Sequence, residues 1–446
     1  MDHLREQVKE GSIDTVIVAM TDMQGRLVGK KLHAPFFVEN VAYEGTDGCN
    51  YLLAVDVDMR PASGYAMSSW ERGYGDLVMK PDLATLRMVP WQTKTALVLS
   101  DVVWPDGTEV VASPRQILRR QLDRLGGLGL DAYCGTELEF LVFNDTYEAA
   151  WKKGYRDLEP ANLYNVDYSL LGVSRVEALL RDIRISMAGA AMTVESVKGE
   201  CNLGQHEIAF RYDHALQTCD NHVIYKLGAK EIAAQHGKSL TFMAKFNEAE
   251  GSSCHTHLSL RDQHGGLVFV DPERPSELST LGQQFLAGQL DHMSEITLMF
   301  APNINSYKRF VEGSFAPTAI AWGRDNRTCA LRLVGSGAGL RFENRVPGGD
   351  ANPYLVVAAM VAAGLDGIER GLELPPPESG NAYHGEHERI PSSLADALAT
   401  WKHSPFIAEA FGDEVRDHYA TMGSVELEVF ARAITDWERF RSFERM

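Results

Sequence analysis

The segment GTELEFLVF at 135–143 constrains this chain more than any other, because alternate side chains of an extended strand share a face. Glu137 and Glu139 then point one way, while Leu138, Phe140 and Val142 form an apolar opposite side. Four more segments repeat the arrangement. HEIAFRY aligns Glu207, Ala209 and Arg211; SCHTHLSL aligns His255, His257 and Ser259; TCALRL sets Arg332 beside Thr328 and Ala330; LRFENRV aligns Arg341, Glu343 and Arg345. An antiparallel strand facing water also alternates, but such faces usually carry Lys, Thr, Ser and Gln. These five faces repeat Glu, His and Arg and show no lysine, which predicts a sheet wrapped around one cavity.

Carboxylates gathered in one cavity repel and raise each other's pKa values unless cations neutralise them. Ligation by oxygen and imidazole suits Mg2+ or Mn2+. Arginines, planar and permanently charged, clamp phosphates and carboxylates. Metal ions and arginines facing one cavity imply nucleotide phosphoryl transfer. The chain has no GxxxxGK[ST] loop, and GSGAG at 335–339 reads as a loop between two strands, so ATP must be held in another way.

Charge narrows the partners. With 43 Lys+Arg against 61 Asp+Glu the formal charge is −18, which argues against nucleic acid or an anionic membrane as a partner. The longest apolar run, Tyr354 to Leu365, is too short to span a bilayer. Six scattered cysteines without a CxxC pair read as reduced thiols, and the expectation is a soluble cytoplasmic protein.

A length of 446 residues predicts two domains. TVIVAM at 15–20, a turn at Asp22–Gly25 and a second strand near Leu27 predict a hairpin, with more extended chain at 51–57 and 95–102. Ser113-Pro114 is a helix start, and Gly126-Gly127 is its stop. The boundary falls near residue 110, giving domains 1–110 and 111–446. Helical spacing recurs over 175–192, 215–236, 278–299 and 353–371. After PPPESG at 375–380 a short helical region runs over 393–445.

The motifs GTELEF, GECNLGQHE, GSSCHTHLSL, NSYKRF, RDNRTCALR and RFENR followed by ANPYL, in this order, resemble the glutamine synthetase superfamily from end to end. The resemblance implies an α+β chain: an N-terminal β-grasp domain and a catalytic α/β domain with a curved antiparallel sheet. It also implies a homo-oligomer, a dodecamer of two stacked hexameric rings with active sites between neighbours. Two to three Mg2+ or Mn2+ ions and ATP would serve the reaction. One metal set would be Glu139, Glu200 and Glu207, the other Glu137, His255 and Glu343. Arg309 would hold the glutamate α-carboxylate with help from Gly251, and Arg345 would stabilise the γ-carboxylate. Arg327, Arg332 and Arg341 would grip ATP phosphates, with Glu195, Tyr212, His257 and Ser259 near the ribose and adenine. Arg345, Arg309 and Arg327 would form the catalytic set. A γ-glutamyl phosphate would form, and an amine would displace phosphate.

Two departures bear on the amine. The family's ammonia-using members place a glutamate after NSYKR, where this chain has Phe315, and their FDGSS-like motif is absent. The resemblance is nearest to the actinomycete γ-glutamylethanolamide synthetases, with γ-glutamylpolyamine synthetases as neighbours, so ethanolamine is the expected nucleophile and a mono- or polyamine the alternative. Ammonia and a non-catalytic assembly remain further alternatives, although every expected metal ligand is present. Phe315, Ser314 and Asp56 are assigned to the amine pocket, with Asp56, Asp58 and Glu312 as candidate bases. Tyr383, where some relatives are nucleotidylated, reads as a plain loop residue.

Overall fold

The computed structural model describes residues 1–446. The β-branched run Thr15–Thr21 (β1) pairs antiparallel with Leu27–His33 (β2). Asp22 closes the intervening turn, its Oδ1 accepting the backbone N–H groups of Gln24 at 3.0 Å and Arg26 at 2.8 Å. Thr46–Cys49 (β3), Asp76–Pro81 (β4), Arg87–Met88 (β5) and Thr95–Val103 (β6) complete the first sheet, in the order β2-β1-β6-β4-β3 with β5 also on β6. Within this sheet only β1 and β6 run parallel. The strand expected over 51–57 is instead a 3-10 turn at Asn50–Leu53. Buried Asn50 causes the change by bonding a distant loop: its Nδ2 donates to the Met67 carbonyl, and its Oδ1 accepts from the Ser68 hydroxyl.

The second sheet begins with the long Leu130–Phe143 (β7). It continues through Val194–Gly199 (β8), Gln205–Phe210 (β9), Asp213–His214 (β10), Ser239–Thr241 (β11) and Cys254–Asp262 (β12). A separate small ribbon, Val270–Asp271 (β13) and Arg274–Leu278 (β14), precedes Trp322–Arg324 (β15), Leu331–Val334 (β16) and Arg341–Asn344 (β17). The order is β15-β16-β17-β12-β7-β9-β8, with β10 and β11 on β7. This sheet carries Glu137, Glu139, Glu207, His255, His257, Arg332, Arg341 and Glu343, whereas Arg211 and Arg345 lie just past their strands and the strand expected over TCALRL begins only at Leu331, with Thr328 and Ala330 in the preceding turn.

Helices back its apolar side. Pro353–Arg370 is buried continuously from Pro353 to Leu365, so its apolar run is core. Thr280–Asp291 crosses it where Gly288 meets Gly367: a Cβ on Gly288 would lie 2.0 Å from the Ala363 carbonyl oxygen, so only glycine permits this approach. The single helix expected over 278–299 is two, broken at His292, whose ring nitrogens meet Glu295 and Asp366. The helix expected over 175–192 is Glu177–Gly189, preceded by a separate short helix, Leu170–Ser174. Pro114 opens the helix Pro114–Gly127, but the Ser113 hydroxyl makes no capping bond, and the helix includes both glycines expected to stop it.

Arg115 ties the first sheet to the helices that back the second. Its guanidinium reaches Asp82 at 2.8 Å, Asp101 at 2.6 Å and Asp220 at 2.9 Å, and the Tyr354 hydroxyl also donates to Asp220. No helix is long and apolar enough to cross a membrane.

Candidate active site

Strand register builds the site in three rows. Lys198 (β8) lies opposite Glu207 (β9), which lies opposite Glu139 (β7). One step along, Ala209 faces Glu137, and Glu137 faces His255 (β12). One step further, His257 faces Glu343 (β17), and Glu343 faces Arg332 (β16). Side-chain alternation puts these residues on one surface. Glu200 joins from the turn after β8. That turn is fixed by Asn202 and Gln205, and by Gly204, where a Cβ would sit 2.5 Å from the Val142 carbonyl oxygen.

The result is a cavity of about 330 Å³ holding all six expected metal ligands and Gly251, Arg309, Ser314, Phe315, Arg327, Arg332 and Arg345. A second groove of about 280 Å³ collects Glu195, Tyr212, His257, Ser259 and Arg341, walled by Tyr133, Phe210 and Leu258. Glu137 lines both, so the two spaces meet at the carboxylates. Apolar walls at one end and arginines at the other suit a base and its phosphates.

Two groups of donor atoms stand out. Carboxylate oxygens of Glu139, Glu200 and Glu207 lie within 4.8 Å of one another, as do donor atoms of Glu137, His257 and Glu343. His255, the imidazole expected in the second set, has Nδ1 3.5 Å from Glu137 and 3.4 Å from Glu343. Both histidines therefore face it. His257 Nε2 is buried 3.0 Å from a Glu137 carboxylate oxygen, while its Nδ1 accepts from Arg341 Nε at 3.1 Å.

The charges are unevenly compensated. Burial acts to raise Glu343, but His255 and Arg345 more than offset it and hold the carboxyl down at about 2. Arg345 reaches it at 2.5 Å and Arg332 at 2.8 Å. Burial also acts to raise Glu137, yet the two imidazoles keep it well below the usual range. Glu207 behaves oppositely: burial, then the charge of Glu137, pushes it up to about 8. Carboxylate clusters whose charge is compensated this unevenly, one of them bearing imidazoles, fit hard divalent cations.

Arg309 is anchored along one edge, its Nη2 donating to the carbonyls of Arg345 at 3.0 Å, Val346 at 2.6 Å and Pro347 at 2.9 Å. Its Nε has no partner, which leaves a donor for a ligand carboxylate. Gly251 packs against it: a Cβ there would lie 2.7 Å from Arg309 Cγ and 2.4 Å from the Ala244 carbonyl oxygen. In the flap that follows, Phe315 has φ 58° and is 57% exposed, and its carbonyl accepts from Arg345. The Tyr383 hydroxyl is buried and donates to the Ala316 carbonyl, as a structural loop tyrosine would.

Within one chain Asp56 lines a separate small cavity with Met23, Tyr65 and Glu426, its carboxylate accepting the Arg60 N–H. Glu312 pairs with His384 at 3.3 Å and does not line the cavity. The sequence reading missed Asp167, Tyr168, Lys198, Cys201, Gln205 and Glu250, which do. Lys198 was legible, two residues before Glu200 in VESVKGE; Asp167 lies in a loop whose pattern carries no signal.

A cavity with two carboxylate groups, opposed arginines and an adjoining nucleotide-shaped groove defines an ATP-dependent carboxylate–amine ligase. The chain belongs to the glutamine synthetase family: the model described as "Glutamine synthetase, catalytic domain" matches residues 111–442. It is 61% identical over 446 residues to gamma-glutamylethanolamide synthetase GlnA4 of Streptomyces coelicolor, covering 100% of this chain and 96% of that one. It is 38% identical to glutamate–isopropylamine ligase of a Pseudomonas species, covering 98% and 96%. The solved structure of apo GmaS without ligand superimposes with a TM-score of 0.86 at 28% identity, covering 100% of both chains.

Proposed function

We propose that this chain joins the γ-carboxylate of glutamate to ethanolamine through γ-glutamyl phosphate. The carrying observation is the cavity itself: complete carboxylate groups at its floor, and Phe315 at its rim where an acid would favour ammonium. Relatives that act on substituted amines, one named for ethanolamine and one for isopropylamine, support this reading.

Arg309 would orient the glutamate α-carboxylate with its free edge, and Arg345 the γ-carboxylate. Arg327, Arg332 and Arg341 would hold the ATP phosphates, with base and ribose in the groove of Glu195, Tyr212, His257 and Ser259. Divalent ions bound by Glu139, Glu200 and Glu207, and by Glu137, Glu343 and the facing histidines, would neutralise phosphate charge. A γ-carboxylate oxygen attacks the γ-phosphorus and ADP leaves. The amine nitrogen then attacks the acyl carbon and phosphate leaves. These are positional and electrostatic tasks for the protein.

The amine must lose a proton, and Asp167 is the acid this reading places there. It lies within 4.8 Å of Glu200 and makes no ion pair. Phe315 and Ser314 would face the amine's carbon chain. An isopropylamine-like monoamine is the second reading, favoured by the exposed Phe315 ring.

The same proposal includes cytoplasmic residence, in keeping with six unpaired cysteines, and assembly into two stacked hexameric rings. The exposed C-terminal Ile434, Trp437, Phe440 and Phe443 offer apolar area for such an assembly, and light scattering tests it. For the reaction, purified protein with ATP, Mg2+, glutamate and equal concentrations of ethanolamine, isopropylamine, putrescine and ammonia is analysed by mass spectrometry. The γ-glutamylethanolamide product should dominate; glutamine as the main product would overturn the proposal.

A further inference from the structure

Arg309 stands on a segment that is tied down from outside the cavity. It ends the 3-10 turn Ser306–Arg309, and the chain entering that turn is pinned to Lys245 and Asp350. The Asn305 side chain accepts from the Lys245 N–H at 2.9 Å and donates to the Lys245 carbonyl at 2.8 Å. Asn303 Nδ2 and the Ser306 hydroxyl both donate to Asp350 Oδ2, at 2.9 Å and 2.6 Å, and the Ser306 hydroxyl accepts the Asn303 N–H at 3.0 Å. The bonds to the ionised acceptor are the strong ones in this set. Asp350 itself does not line the cavity; it lies in the loop before helix Pro353–Arg370.

The other oxygen of that carboxylate shares a gap with Arg309. Asp350 Oδ1 is buried and bonds no protein group. A Cβ on Gly348 would lie 2.7 Å from it and 3.8 Å from Arg309 Nε, so carboxylate and guanidinium border one space that a bare glycine keeps open. Arg309 is 3% exposed, yet every hydrogen bond it makes is to a backbone carbonyl. Such a buried cation needs a negative charge nearby. The carboxylates that act on it most are Glu139 and Asp350. Glu139 belongs to a group read as a metal site, where a divalent ion would claim it. Asp350 is the anion left to Arg309.

We propose that Asp350 is the positioning residue of Arg309: one carboxylate oxygen fixes the segment that carries the arginine, and the other holds the guanidinium back from Glu139, so that its free edge meets the α-carboxylate of glutamate. This deepens the proposed function and rests on the reading of Arg309 as the group that takes that carboxylate. Without the Asp350 charge, Glu139 becomes the strongest attraction and draws the guanidinium out of place.

The test is steady-state kinetics of the full-length protein, with glutamate and ATP varied separately at saturating ethanolamine. Asp350→Asn keeps an oxygen for Ser306 and Asn303 but removes the charge. It should raise KM for glutamate about tenfold, the size of one lost charge-assisted contact, with kcat and KM for ATP within about twofold of wild type. Gly348→Ala leaves the charge and pushes the carboxylate aside; it should raise the same KM about threefold, and it carries the test alone where Asp350→Asn does not fold. Arg309→Lys should itself raise KM for glutamate, and adding Asp350→Asn to it should change that KM by less than about twofold, because the group being positioned is already gone. A wild-type glutamate KM in Asp350→Asn and Gly348→Ala overturns the proposal. So does an equal loss in kcat and both KM values, which marks a merely structural role, or full additivity in the double variant. No turnover by wild type, or an unchanged glutamate KM in Arg309→Lys, would instead refute the proposed function beneath it.

Discussion

Glu343→Gln isolates the most heavily compensated charge in the cavity. The side chain is 1% exposed and takes contacts from Arg345 at 2.5 Å and Arg332 at 2.8 Å, with His255 Nδ1 3.4 Å away. Glutamine keeps the shape but removes the charge, leaving two arginines facing a neutral amide. The folded pKa of about 2, against 4.5 for an ordinary glutamate, corresponds to about 3 kcal/mol at neutral pH. That agrees with the ~3–5 kcal/mol typical of breaking a buried pair. Because the folded value is depressed, this stability is fully present above pH 4.5 and is lost as pH falls through about 2. Calorimetry in EDTA at fixed protein concentration should show a midpoint several degrees below wild type at pH 7, with a smaller gap at pH 4. A midpoint within a degree of wild type at pH 7, or a gap that widens on acidification, would refute the electrostatic account of this cluster.

Three further outcomes follow from the same geometry. Glu207, raised to about 8, holds a proton near neutrality when metal is absent, so metal binding at pH 7 should release protons and apparent affinity should rise with pH up to about 8; calorimetry in buffers of different ionisation heat reads this directly. By the same sign, the proton on Glu207 contributes stability to the metal-free fold that is fully present below about pH 4.5 and is lost as pH rises through about 8. Phe315→Glu, at an exposed rim position, should lower KM for ammonia about fivefold, the equivalent of ~1 kcal/mol for an exposed ion pair, without improving ethanolamine; unchanged ammonia kinetics would remove Phe315 from the explanation of specificity. Arg115→Met leaves Asp220, 2% exposed, without its cation and should cost about 3–5 kcal/mol, seen as a lowered thermal midpoint and faster proteolysis between the two sheets.

Much of the cavity was legible because strand periodicity is rigid. Once GTELEFLVF is extended, Glu137 and Glu139 must share a face, and register does the rest by setting Glu139 opposite Glu207 and Glu137 opposite His255. The same alternation reaches Lys198 in VESVKGE, but a lone lysine on a strand also reads as a solvated face, so the sequence does not single it out. Loops obey no such period. Asp167 reaches the cavity by a path that only the folded chain reveals, and Asp56, a candidate base, lines a different cavity of the same chain. Helix existence was visible in apolar spacing, whereas the break at His292 depends on Asp366, 74 residues away, which no local window contains.

The account stands most directly on the acyl phosphate, and oxygen transfer measures it. Glutamate labelled with 18O in the γ-carboxylate, turned over with ATP, Mg2+ and ethanolamine, should deliver one labelled oxygen to each inorganic phosphate released, because the oxygen that attacks phosphorus leaves with it. Amide formation with unlabelled phosphate would contradict the mechanism.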